Sequence, residues 1–173
     1  SGSTAINTSN VTSSGAQTYT GAVTLGANTT LSGVGITLGS TVKSDGTNRS
    51  LSLLDSGTTT LTGAIGGTAS VDGEKLSSLS TDAGGNTLMN GGSIRTTGAQ
   101  TFGDAVTLGA NTTLTATTVT TQDTLAGATF SLAVAGNAVW GNAPTDTVTG
   151  LSTLSVSGST AINTSNVTSS GAQ

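Results

Sequence analysis

Apolar side chains recur at every second position in short runs along this chain, with hydroxyl side chains between them. Val23, Thr24 and Leu25 form one such run, and the stretch 152–157 repeats the alternation. A period of two predicts β-strands that turn small apolar groups inward and hydroxyls outward. Val and Thr favour this state because β-branched side chains fit a pleated surface. No segment has the 3.6-residue period of an amphipathic helix.

The chain repeats itself at more than one level. Residues 1–17 read SGSTAINTSNVTSSGAQ, and residues 157–173 are identical. Inside this period, residues 15–32 return at 98–115 with few changes. An identical stretch of this length indicates recent duplication within a tandem array, here of a 156-residue period.

A shorter unit is found when the apolar positions are aligned around a glycine. This alignment divides the period into six units with a mean length of 26 residues, namely 18–50, 51–75, 76–100, 101–127, 128–150 and 151–173. That length suits one turn of a parallel β-helix, in which stacked coils bury what a single coil cannot. We therefore predict an all-β fold, with residues 1–173 forming one continuous β-solenoid of six to seven coils.

Two sets of residues are predicted to shape the corners of this solenoid. The glycines at the shared position of the alignment would supply positive φ at a turn; they are Gly57, Gly84, Gly136 and Gly158. Nearby asparagines tolerate the same conformation and are candidates for a stacked amide ladder; they are Asn28, Asn86, Asn111 and Asn137.

Disorder and a hairpin-based fold are the structural alternatives. The chain has 38 Thr, 24 Ser and 26 Gly but only 2% aromatic residues, a composition that disordered segments share. Disordered chains also tend to carry Pro and high net charge, whereas this one has a single Pro and a net charge of −4. A β-sandwich or propeller would place tight turns such as Asn-Gly or Asp-Gly within each unit. The two Asp-Gly pairs, at 45–46 and 72–73, fall in the longer connecting stretches.

The composition also bears on chemistry. With no His and no Cys, a zinc site is not expected, and no cofactor is predicted. Asp55 and Asp82 occupy equivalent positions in consecutive units, which predicts turn-capping aspartates rather than a catalytic pair. Incidental Ca²⁺ at Asp55 and Asp82, or at Asp72 and Glu74, stays open. Four basic residues cannot form a nucleic-acid footprint, and no apolar run approaches the length of a membrane span.

The motif TTGAQTFGDAVTLGANTTLT at 96–115, its counterpart at 12–32 and the stretch 76–94 between them resemble repeats of filamentous-haemagglutinin-like bacterial adhesins. The resemblance implies a right-handed parallel β-helix in a giant exoprotein exported by a two-partner or autotransporter route. It also implies a stalk or fibre without catalytic residues.

The sequence thus predicts a structural segment of a secreted bacterial adhesin or extracellular fibre, located outside the cell or on its surface. Its expected partners are adjacent copies of the same repeat, joined end to end, together with other fibres or surface glycans; neither nucleic acid nor membrane insertion is expected. A Thr-rich module that recognises ice or glycans is the alternative, and an enzyme that cleaves polysaccharide is a third reading.

Overall fold

The computed structural model describes residues 2–68 and 71–173. Ser1, in the first copy of the repeated segment, and residues 69 and 70, in the predicted unit 51–75, lie outside the described residues. The protein is all-β, with 53% of its residues in strands. Within the described ranges the only helical element is a 3₁₀ turn at Asp72–Glu74.

The strands are short, and most have three to six residues. In chain order they are β1 (Thr4–Ile6), β2 (Asn10–Thr12), β3 (Gln17–Tyr19), β4 (Val23–Leu25), β5 (Thr29–Gly33), β6 (Ile36–Leu38), β7 (Val42–Ser44), β8 (Ser50–Asp55), β9 (Thr58–Leu61), β10 (Ser78–Thr81), β11 (Asn86–Met89), β12 (Ser93–Arg95), β13 (Gln100–Phe102), β14 (Ala105–Leu108), β15 (Thr112–Thr121), β16 (Leu125–Ala126), β17 (Leu132–Trp140), β18 (Thr147–Leu151), β19 (Leu154–Val156), β20 (Thr160–Ile162) and β21 (Asn166–Ser169).

These strands form a parallel β-solenoid, in which strands of one turn pair with strands of the turns before and after it. The strands of each turn lie on three faces. Face 1 contains β1, β4, β7, β12, the first halves of β15 and β17, and β19. Face 2 contains β2, β5, β8, β10, β13, the second halves of β15 and β17, and β20. Face 3 contains β3, β6, β9, β11, β14, β16, β18 and β21. The long strands β15 and β17 turn the corner from face 1 to face 2, with a register shift between Thr115 and Thr118.

The predicted all-β solenoid is confirmed, but its coils are shorter and more numerous than predicted. The structure has about eight turns, where the sequence predicted six to seven of mean length 26. The ladder of face 1 makes seven steps from Thr4 to Val156. This gives a mean of about 22 residues per turn, within the usual range for repeats that stack into solenoids. The two shortest of these steps lead from Thr4 to Val23 and from Val23 to Val42, and the longest leads from Ile65 to Ile94.

The reason for the miscount is that the alignment merged two different corners. Gly57 and Gly84 lie between faces 2 and 3, whereas Gly136 and Gly158 lie between faces 1 and 2. The predicted unit 18–50 consequently contains residues from two successive turns. Glycine marks a change of direction at any corner, so it cannot by itself identify which corner it occupies.

The core is a set of ladders that run along the axis between the three faces. On face 3, for example, Tyr19, Leu38, Leu61, Met89 and Leu108 stack in register on successive turns. The in-out-in burial of β4, β6 and β7 matches the alternation in the sequence. Trp140 and Phe102 are the largest fully buried side chains. The core thus extends along the axis from Ile6 in the first coil to Leu154 in the last.

Candidate functional site: the coil-to-coil stacking surface

The structure concentrates its specific polar contacts where one coil stacks on the next. The clearest of these contacts comes from the glutamine of the repeated GAQ triplet. Gln17 Nε2 donates to the carbonyl of Val11, six residues earlier, at 3.2 Å, and to that of Ser32, fifteen residues later, at 2.7 Å. One buried amide therefore joins two consecutive coils.

Gln100 makes the same two contacts at the second copy of the triplet. Its Nε2 donates to the carbonyls of Ile94 at 3.2 Å and Thr115 at 3.0 Å, again six residues earlier and fifteen later. Both glutamines are buried. Sequence reasoning missed them as functional residues, although the recurrence of GAQ at 15–17 and 98–100 was the signal that identifies them.

The two glutamines differ in their acceptor oxygens. Tyr19 donates its hydroxyl to Gln17 Oε1 at 2.9 Å. The corresponding residue two positions after Gln100 is Phe102, which has no hydroxyl, and Gln100 Oε1 is buried without a hydrogen-bond partner in the structure. A single hydroxyl thus separates a satisfied coil junction from an incompletely satisfied one.

The predicted asparagine ladder is wrong, because the four asparagines do not stack on one another. Asn28 and Asn137 lie at the corner between faces 1 and 2, Asn111 precedes face 1, and Asn86 starts a strand of face 3. Three of them instead accept, through Oδ1, the backbone N–H of a serine in the next coil; these pairs are Asn28–Ser50, Asn111–Ser131 and Asn137–Ser159, each 2.9–3.0 Å long. Asn86 Oδ1 accepts from the Thr58 hydroxyl at 3.0 Å. The amides join neighbouring coils one pair at a time.

The predicted turn glycines are only partly right. Gly136 has φ 147°, but Gly57, Gly84 and Gly158 are not among the residues with positive φ. At Gly57 and Gly158 glycine is needed for close approach: a Cβ at Gly158 would lie 2.7 Å from the carbonyl oxygen of Gly136 on the coil below. Positive φ falls instead on Gly85, next to the predicted Gly84. The alignment identified the corners but not the strained residue within each.

Asp55 caps a corner, as the sequence predicted. Its carboxylate is buried and accepts the backbone N–H groups of Gly35 and Ile36, both at 2.6 Å, and of Gly57 at 2.9 Å, together with the Thr59 hydroxyl at 2.9 Å. Burial disfavours the charged carboxylate, but these hydrogen bonds together outweigh it and hold the pKa of Asp55 below its usual value. Asp82 lies beside it and accepts the Asp55 N–H at 3.1 Å.

Asp104 occupies the same kind of corner with the opposite electrostatics. Its carboxyl is buried and accepts hydrogen bonds from two side-chain hydroxyls, those of Thr81 at 2.6 Å and Thr87 at 2.8 Å. Burial is the dominant influence and raises the pKa of Asp104. Two hydroxyl donors replace less of the lost hydration than the four donors around Asp55 do.

Six charged residues lie close together beside face 1, in β7 and in the loops next to it. Three ion pairs hold them together: Lys43–Glu74 at 2.7 Å, Arg49–Asp45 at 3.0 Å and Lys75–Asp72 at 2.8 Å. The 3₁₀ turn Asp72–Glu74 supplies two of the three acids. We call this group of six residues the charged loops.

Outward threonines form one column on face 3, but it is interrupted. In order along the axis its members are Thr18, Thr37, Thr60, Leu88, Thr107, Ala126 and Thr149. The Thr-x-Thr pair of Thr113 and Thr115 stacks between Ser93 and Arg95 on one coil and two alanines on the other. The outward threonines therefore do not make a two-column array.

The described residues contain no group of three or more His, Cys, Asp or Glu side chains placed to hold a metal ion. The oxygens of Asp55 already accept four hydrogen bonds. No helix in the described part of the chain is both long and apolar enough to cross a membrane.

The geometry of this chain is that of coils joined to one another by parallel backbone ladders and buried amides. Comparisons with protein-family models, curated proteins and solved structures found no match to the chain.

Proposed function

We propose that this chain is a structural repeat segment of a large secreted bacterial adhesin or extracellular fibre, where it acts as a rigid stalk or filament body. In this role the chain binds adjacent copies of itself end to end, and the number of stacked coils determines the length of the rod. Other fibres or surface glycans would contact its sides, and its place is outside the cell or on the cell surface.

One observation carries the proposal. The ladders continue without a break from the first period into the second, since β20 pairs with β17 and β21 pairs with β18. Both β20 and β21 belong to the repeated segment 157–173. A tandem array would therefore extend a single solenoid, whereas independent domains would interrupt the ladders at the boundary.

Electron microscopy of proteins with one, two and four periods tests this proposal. The register gives seven turns and one further face for each period. At about 4.8 Å per turn, each added period should lengthen the rod by about 35 Å at constant width. Beads on a string would contradict the proposal. Antibodies against the rod should also label intact cells of the source bacterium without permeabilisation, and labelling only after permeabilisation would contradict the surface location.

Recognition of ice or glycans by outward threonines is a second candidate, favoured by the threonine column of face 3. A flat ice-binding surface requires matched positions on every coil, and Leu88 and Ala126 interrupt this column. A thermal-hysteresis measurement on the chain separates the two candidates, because a spacer should give none.

A further inference from the structure

The repeated segment lies on different faces in its two copies. Thr4–Ile6 is a strand of face 1, where it pairs with Val23–Leu25. The identical residues Thr160–Ile162 form a strand of face 2, where they pair with the second half of β17. One period therefore comprises seven whole turns, from Thr4 to Val156, plus one more face.

An internal repeat behaves in the same way, so the shift is not confined to the last coil. The triplet GAQ places Gln17 at the start of a face 3 strand and Gln100 at the start of a face 2 strand. The AVTL motif that follows supplies β4 to face 1 in the first copy and β14 to face 3 in the second. The two copies of this internal repeat are thus separated by three turns and two faces.

The side chains adapt to this rotation because their contacts are defined relative to the chain and not to a face. Both glutamines bond the carbonyls six residues before and fifteen residues after them, on whichever face they lie. In residues 157–173, the second copy of the segment 1–17, Gln173 Nε2 donates to the carbonyl six residues earlier, that of Val167, at 3.5 Å. The carbonyl fifteen residues later would be that of the residue corresponding to Ser32, in the continuation of the same copy.

We propose that each period docks on the preceding one after an advance of seven and one third turns, so that successive copies present the same surface features on the three faces in rotation. The inference rests on the proposed function only in assuming a tandem array. Three periods, or 22 turns, then restore the starting face. The second copy begins to dock at residues 157–173, and the coil 154–173 then receives the continuation of that copy, the stretch that corresponds to residues 18–38.

The rotation determines what the sides of the rod can bind. The charged loops of consecutive copies would point about 120° apart and repeat every 35 Å or so along the axis, given about 4.8 Å per turn. Such a rod presents its features in all radial directions. It has no single side on which one motif forms an unbroken flat array, which favours contacts with partners distributed around the fibre.

A thiol-proximity experiment on the 173-residue chain tests the proposed rotation. Because the chain has no cysteine, only the introduced thiols can react. Val139 and Ala161 are directly paired outward residues on face 2. A V139C/A161C variant should be bridged efficiently by dibromobimane, which becomes fluorescent when it joins two neighbouring thiols. If the period were a whole number of turns, Ala161 would lie on face 1 beside Ala133. An A133C/A161C variant should therefore react at least about tenfold less, because paired strands are about 4.8 Å apart and residues on separate faces are much farther apart.

Matched controls keep each outcome interpretable. A133C/S155C and A5C/T24C join residues that are paired on face 1 near the end and near the start of the first period, and both should be bridged. Preferential bridging of A133C/A161C over V139C/A161C overturns the proposed rotation. That result would leave the tandem rod intact, since rods that lengthen by whole turns would still grow in electron microscopy. Equal and weak bridging of all four pairs would overturn both the rotation and the register of the solenoid.

Discussion

At the scale of single residues, the chain uses a few buried polar side chains to lock one coil to the next. Gln17 and Gln100 illustrate this best, since each satisfies carbonyls of two coils with one amide. Backbone ladders alone would tolerate a slip along the strand, whereas a buried amide that loses its partners costs about 1–3 kcal/mol. These glutamines therefore specify the register as well as stabilise it.

The difference between Tyr19 and Phe102 gives a reciprocal test of this junction. We expect Phe102→Tyr to raise the free energy of unfolding by about 0.5–1.5 kcal/mol, because the new hydroxyl would donate to the unpartnered Gln100 Oε1. Tyr19→Phe should lower it by a similar amount by removing the bond to Gln17. Urea denaturation of both variants measures the change. A gain for Phe102→Tyr that persists in a Gln100→Leu background would show that the hydroxyl acts elsewhere.

At the scale of elements, the corner between faces 2 and 3 is built twice with opposite electrostatics. Asp55 is surrounded by backbone and hydroxyl donors that lower its pKa, while Asp104 has two hydroxyl donors and a raised pKa. The same corner of the solenoid can thus be capped by a carboxyl with a lowered pKa or by one with a raised pKa. Asp55 ends the six-residue strand β8 and is followed by β9, whereas Asp104 lies between β13 and β14, which have three and four residues.

This contrast predicts opposite pH dependences for two matched variants. Because the folded-state pKa of Asp104 is raised, its contribution to stability is complete below the unfolded pKa and is lost as pH rises through the folded value. Asp104→Asn should therefore gain stability relative to the wild type as pH rises. The depressed pKa of Asp55 means that its contribution is present above the unfolded pKa and is lost as pH falls through the folded value.

Asp55→Asn should accordingly lose stability relative to the wild type as pH rises. Denaturation midpoints measured from acid to neutral pH check both variants. Parallel pH profiles for the two substitutions would contradict the assignment of opposite environments to these corners.

At the scale of the whole molecule, the two end coils bury the same repeated residue to different extents. Ile6 is 5% exposed beneath the second coil, whereas its counterpart Ile162 is 58% exposed on the last one. Around Ile162 the inward side chains of Leu154, Val156 and Val167 line an open concavity above Trp140. The same inward pattern thus yields a core residue in one place and an apolar surface in the other.

The exposed coil predicts end-to-end association of the 173-residue chain. Its unpaired strand edges and apolar surface should make the sedimentation coefficient rise with concentration. Ile162→Asp should shift this association to concentrations at least about tenfold higher, which corresponds to about 1.4 kcal/mol. Val71→Asp is the control, since Val71 is 53% exposed but lies next to the 3₁₀ turn, away from the last coil. Strictly monomeric behaviour, or an equal effect of both substitutions, would contradict the prediction.

The sequence alone determined the strands, the inward and outward sides of each, and the parallel stacking of coils. These features follow from period-two patterning and from repeats, which are local properties of the chain. The same reasoning placed Val23 and Leu25 inward and identified Asp55 as a cap. It could not set the length of each turn, so it grouped Gly57 and Gly136 although they lie at different corners.

Only the tertiary structure decided the turn lengths, the face on which each motif lies, and the environments of Asp104 and Ile162. The physical reason is that coils are joined by backbone hydrogen bonds, which are the same for every residue type and admit a motif on any face. Three faces of short strands are nearly equivalent partners for such bonds. Their assignment depends on closing each turn against its neighbour, and the length of chain that this takes differs from one turn to the next, so no local pattern contains it.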